Sequence, residues 1–81
     1  MKVTVYTGPN CHKCEITKTQ LGQLGVSFNE VDLTERPDLA AEFKNHGMGA
    51  LPVVEVVHHD GRIDYWNDYR YTRIKELAVE R

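Results

Sequence analysis

The chain has only two thiols, Cys11 and Cys14, and they bracket His12 and Lys13 in a Cys-His-Lys-Cys run. A thiolate attacks disulfides and a protonated thiol does not, so the chemistry open to this pair depends on what lowers its pKa. A turn, Thr7-Gly8-Pro9-Asn10, precedes Cys11, and a helical pattern follows it. Cys11 therefore falls where the unsatisfied backbone N–H groups and the dipole of a helix N-terminus favour an anion. Lys13 and His12 add positive charge nearby. Dithiols so placed hold their first thiol at a pKa of roughly 3.5 to 7.5, the range suited to exchange near neutral pH. Cys14, one turn further along, is close enough to attack a mixed disulfide on Cys11 and release the reduced partner. The pair reads as nucleophile and resolving thiol, with His12 and Lys13 as supporting residues.

Three blander roles compete. Two cysteines are half of a zinc site, but the other half needs a second pair at suitable spacing. His58 and His59 are adjacent and His46 is far from both cysteines in sequence, so the ligand set is incomplete and no metal site is read here. Two inert buried thiols are a poor fit to the polar start of a helix. A purely structural disulfide between Cys11 and Cys14 would close a very short loop and remove little entropy from the unfolded chain. Such a bond is useful for being made and broken.

The elements that must position this pair follow from periodicity. Lys2 to Tyr6 reads as a strand by its alternation and β-branched residues. Asn10 is a candidate cap for a helix from Cys11 to about Leu24, with Cys14, Thr17, Leu21 and Leu24 on one face and Gly25 as its C-terminal stop. Val26 to Leu33 is expected as a second strand, parallel to the first because a helix crosses between them. Thr34 to Pro37 starts a short amphipathic helix through Leu39, Ala40 and Phe43, ended by His46-Gly47-Met48-Gly49. Pro52 to Val57 is apolar enough for a central strand. His58-His59-Asp60-Gly61 supplies the Asp-Gly signal of a hairpin back to Arg62–Trp66, with both histidines read as solvated turn residues. Asn67 and Asp68 are candidate caps for a last helix whose one face carries Tyr71, Ile74, Leu77 and Ala78. The order is β-α-β-α-β-β-α, one layered α/β domain over 1–81.

Composition narrows the function classes. At 81 residues with 41% hydrophobic and 27% charged residues, the chain has the balance of a soluble globular domain. Its net charge of −2 comes without a basic run or stripe, which argues against a nucleic-acid partner. Apolar stretches are only a few residues long, too short to cross a membrane. The opening Met1-Lys2-Val3-Thr4-Val5-Tyr6 alternates, unlike the continuous apolar core of a signal peptide, so an unprocessed, cytoplasmic protein is expected.

Three segments carry a family resemblance. Val3 to Cys14, with its Thr7-Gly8-Pro9-Asn10-Cys11-His12-Lys13-Cys14 core, resembles the opening of glutaredoxins and NrdH-redoxins. Leu51-Pro52-Val53-Val54 resembles their cis-proline segment, and Trp66-Asn67-Asp68-Tyr69-Arg70 the Trp-Ser-Gly-Phe-Arg stretch before the last helix of NrdH-redoxins. The resemblance covers essentially the whole chain. It implies the thioredoxin/glutaredoxin fold, a four-stranded mixed sheet flanked by three helices, with Pro52 in cis beside the dithiol and the Leu51 backbone facing incoming partners. From the residues alone, a trans proline opening a strand is equally acceptable.

Glutathione-binding glutaredoxins generally carry a Gly-Gly pair and then an Asp after the third strand; here that region holds only Asp60-Gly61. The omission resembles NrdH-redoxins. It implies a monomeric dithiol carrier with no bound cofactor, reduced by thioredoxin reductase with electrons from NADPH and donating to ribonucleotide reductase or another protein disulfide. A glutathione-dependent glutaredoxin and a redox-inactive or zinc-binding adaptor of the same fold are the alternatives. Asn67, Asp68 and Tyr71 stand where the family has Ser, Gly and Pro, and Cys-His-Lys-Cys is an uncommon centre. Trp66 reads either as a strand residue packed on the last helix or as an apolar contact for partners. Leu51 and Arg70 join it as candidate partner-binding residues, Arg70 also as a local hydrogen-bonding residue at the helix start.

Overall fold

The computed structural model describes residues 1–80; Arg81, the end of the domain expected over 1–81, lies outside the described residues. Its elements are β1 (Lys2–Thr7), α1 (His12–Gln23), β2 (Asn29–Asp32), a 3-10 turn (Leu33–Glu35), α2 (Pro37–Asn45), β3 (Val53–Val57), β4 (Ile63–Asn67) and α3 (Tyr71–Glu80). This is the β-α-β-α-β-β-α order of the thioredoxin-like fold.

The sheet runs β2-β1-β3-β4. β2 lies parallel to β1, as a helical crossover requires, and β3 pairs antiparallel with both β1 and β4. The two inner strands are the most apolar ones. Period-two alternation divides their side chains between two faces. Val3, Val5, Val54 and Val56 meet Leu21 of α1 and Ile74 and Leu77 of α3 on one face. Val53 meets Leu33 and Phe43 of α2 on the other, where the Tyr6 and Phe43 rings pack edge to face at 5.0 Å.

Several expectations are corrected. β2 starts at Asn29 instead of Val26, because Val26 and Phe28 pack in the core before strand pairing begins at Thr4–Asn29. Leu33 leaves the strand for the 3-10 turn, which the Asp32 carboxylate starts by accepting the Thr34 N–H at 2.9 Å. Asn10 does not cap α1; it sits at φ 55 and Cys11 takes the N-cap. Neither Asn67 nor Asp68 caps α3: Asn67 donates its side chain to the Ala50 carbonyl at 3.2 Å, and the Asp68 carboxylate accepts the adjacent Tyr69 N–H at 2.7 Å. Tyr71, assigned to the buried face of α3, is 49% exposed.

His58 is buried, not solvated: it continues the Val54, Val56 alternation onto the core face, 4.0 Å from the Asp64 carboxylate, which also holds the Arg73 guanidinium. The hairpin forms where the Asp60-Gly61 signal placed it, with β3 antiparallel to β4. Gly61 alone takes a positive φ, 90°, after a turn closed by its N–H on the His58 carbonyl at 3.0 Å.

Candidate redox site

β1 ends at Thr7, and the turn through Asn10 delivers Cys11 to the N-cap of α1. At that position the side chain is asked to accept a backbone N–H of the first turn, usually with an oxygen. Here Cys11 Sγ does so, accepting from Cys14 N–H at 3.1 Å. A sulfur held by a backbone donor at a helix N-terminus is a sulfur whose anionic form is stabilised. Cys11 and Cys14 are joined as a disulfide with their Cα atoms 5.2 Å apart. Cys11 is partly exposed, whereas Cys14 is 1% exposed on the inward face of α1 beside Thr17 and Leu21. Thr17, buried without an apolar side chain, is satisfied by donating its hydroxyl to the Lys13 carbonyl at 2.8 Å.

His12 and Lys13 are both exposed. The Lys13 ammonium is paired with the Asp68 carboxylate at 2.8 Å. That contact, followed by the Tyr69 backbone N–H, holds the Asp68 carboxyl below the ordinary carboxylate value. Asp68 is the residue that sequence reasoning missed. It sits at φ 69, and its own N–H donates to the Pro52 carbonyl at 2.9 Å.

Leu51-Pro52 is a cis peptide bond. The β1–β3 register, which pairs Tyr6 with Val53, brings Pro52 alongside the end of β1 that leads into Cys11. The segment is held from the other side by Asn67 and Asp68 through the bonds to Ala50 and Pro52. Leu51 lies over the turn before the dithiol: a Cβ added at Gly8 would come within 2.7 Å of its Cδ1. Together with Pro9, Leu33, Phe43 and Met48, Leu51 lines an apolar depression beside that turn.

Arg70 donates Nε to the Asn67 carbonyl at 2.9 Å, the local bond expected of it. Trp66 is 6% exposed within the larger core cluster, with the Arg73 guanidinium 4.9 Å from its ring centroid. Little of it is left for a partner to touch, and the open surface there belongs to Met48, Tyr65, Asn67, Tyr69 and Arg70. The structure thus brings Cys11, Cys14, Lys13, Leu51 and Pro52 to one end of the sheet and leaves Trp66 largely in the core. Among the described residues, no three of the His, Cys, Asp and Glu side chains are grouped so as to hold a metal ion.

The family model for glutaredoxin matches residues 3–59, a span that takes in β1, the Cys-His-Lys-Cys run and β3. The glutaredoxin-like protein NrdH of Lactococcus lactis is 35% identical over 52 residues, 64% of this chain and 72% of that protein. NrdH of Salmonella typhimurium is 37% identical over 54 residues, 67% of each protein. Among solved structures, the NrdH-redoxin of Escherichia coli matches with a TM-score of 0.81 at 27% identity, covering 95% of both chains.

Proposed function

Because this chain belongs to the glutaredoxin family, among its NrdH-like members, and is a thiol–disulfide oxidoreductase, we propose that Cys11 is its nucleophile, Cys14 its resolving thiol and thioredoxin reductase its electron donor. The observation that carries the first two roles is the asymmetry of the pair. Cys11 is partly open and its sulfur accepts a backbone N–H at the start of α1, while Cys14 is buried behind it.

In the reduced protein the Cys11 thiolate attacks one sulfur of a substrate disulfide. A Cys11–substrate disulfide forms and the other substrate sulfur leaves as a thiolate, to be protonated. Cys14 then loses its proton and attacks Cys11 Sγ, so the Cys11–Cys14 bond forms and the second substrate thiol is released. Two electrons and two protons have passed to the substrate. NADPH restores them through the reductase.

The surface suits a protein donor better than glutathione. Glutathione needs groups for its two carboxylates and its backbone, and no Gly-Gly pair occurs anywhere after β3. A protein donor needs an edge and an apolar footing, for which Leu51 and the depression beside it are suited, with Arg70 and the exposed residues around it as a second contact. The E. coli NrdH-redoxin is described as having a thioredoxin-like activity profile, which supports the same donor here. The acceptor, on the family resemblance, is a ribonucleotide reductase disulfide or another protein disulfide, in the cytoplasm.

The test is NADPH consumption during reduction of a model disulfide, followed side by side with thioredoxin reductase and with glutathione plus its reductase. Sustained turnover with the former and much slower turnover with the latter is expected. Faster turnover with glutathione would assign the chain to the glutathione-dependent glutaredoxins, dithiol mechanism intact.

A further inference from the structure

Lys13 and Asp68 lie in two of the three segments that carry the family resemblance. An aspartate at φ 69 occupies backbone that L side chains rarely adopt and that glycine takes freely. Its side chain meets the only lysine of the redox motif at 2.8 Å, while its N–H holds the Pro52 carbonyl. The ion pair is exposed, 58% at Lys13 and 38% at Asp68, so it adds little to stability. Its local effect is on charge. Lys13 stands in the first turn of α1, two residues beyond Cys11, where an unpaired ammonium would favour the Cys11 thiolate.

We infer that Asp68 is a positioning residue of the redox centre: it clamps the Lys13 ammonium at the β4–α3 junction and cancels the charge that Lys13 would otherwise bring to the Cys11 thiolate. The inference rests on the reading of Cys11 as the nucleophile. Other charged groups stand on the elements around Cys11. On α1, Glu15 shares the surface beside Cys11 with His12, and its carboxylate is 2.5 Å from the Lys18 ammonium. On the junction, Arg70 donates to the Asn67 carbonyl and keeps its charge, which also favours the ionised Asp68 carboxylate. The Ala50–Pro52 segment and the Gly8–Asn10 turn carry no charged side chain.

The consequence is that the two single variants should shift the Cys11 thiol in opposite directions. Lys13→Met alone leaves the Asp68 carboxylate uncompensated and should raise the Cys11 thiol pKa. Asp68→Asn, whose side chain tolerates the left-handed region, should lower that pKa. One unpaired charge near a solvated sulfur changes the thiolate fraction by about two- to threefold. The double variant, neutral at both positions, should return to the value of the unsubstituted protein.

The measurement is site-resolved alkylation of the fully reduced protein as a function of pH, read by mass spectrometry. Asp68→Gly serves as a second variant that relieves the backbone, and circular dichroism controls the fold. Asp68→Asn and Asp68→Gly are expected to raise the Cys11 alkylation rate below its pKa about two- to threefold, with the gain shrinking in 1 M salt. An unchanged rate in both variants overturns the inference, as does a Lys13→Met rate that is no lower than that of the unsubstituted protein. If Cys14 proves the faster thiol in every form, it is the nucleophile assignment that fails instead.

Discussion

Cys11 and Cys14 differ in one respect that governs how each can be removed. A partner's sulfur can reach Cys11, which is partly exposed, but not Cys14, which is 1% exposed. Cys14→Ser should therefore accept a partner and then stall, accumulating a mixed disulfide on Cys11 that survives non-reducing electrophoresis. Cys11→Ser should trap nothing, with turnover at background. Equal trapping by both variants would reverse the assignment. These two residues were readable in the sequence because their chemistry is local: a short spacing, a turn before it and a helix after it. Lys13 was read the same way, as a cation for Cys11, and that reading omitted Asp68, which reaches it from the far end of the sequence. A charge has a sign in the sequence, but its counterion is set by the fold.

Among the elements, α1 carries the site and is the one to perturb. It is tied to the core through Leu21, 0% exposed against Val3, Val5 and Ile74, and to the β4–α3 junction through the Tyr69 hydroxyl on Gln20 at 2.9 Å. Leu21→Ala should cost about 2–4 kcal/mol by transfer and cavity terms, seen as a lower urea midpoint with an unchanged slope; a loss under about 0.5 kcal/mol would mean that α1 is not anchored there. The type and order of the elements were legible because alternation and helical spacing are strong signals. Their ends were not. Val26 and Phe28 satisfy a strand pattern while packing ahead of any strand pairing. Tyr71 lies on the correct angular face of α3, yet its ring is in solvent with the Lys75 ammonium 5.5 Å from its centroid. Periodicity gives the side of a helix that is buried, not how far along its axis the core extends. The Cys11 cap was hidden for another reason: sulfur takes a place where an oxygen is the usual acceptor.

For the molecule as a whole, the disulfide ties residues that one helical turn already holds together. Closing so short a loop contributes at most about 2 kcal/mol by chain entropy, while both faces of the sheet keep their own apolar clusters without it. Full reduction should leave a protein that melts cooperatively with unchanged far-ultraviolet circular dichroism, destabilised by no more than about 2 kcal/mol. Loss of the cooperative transition on reduction would give the bond a scaffolding role after all. The carrier can then cycle between its two states on one frame. Gly8 bears on what that frame can become. Nothing but the missing side chain at that position leaves Leu51 its seat over the turn, and the atom that a methyl group would strike is the far end of the leucine, not backbone. An alanine there would reshape the lip that greets a visiting protein while leaving both sulfurs in place, so the choice of customer could drift in descendants without the exchange reaction being relearned.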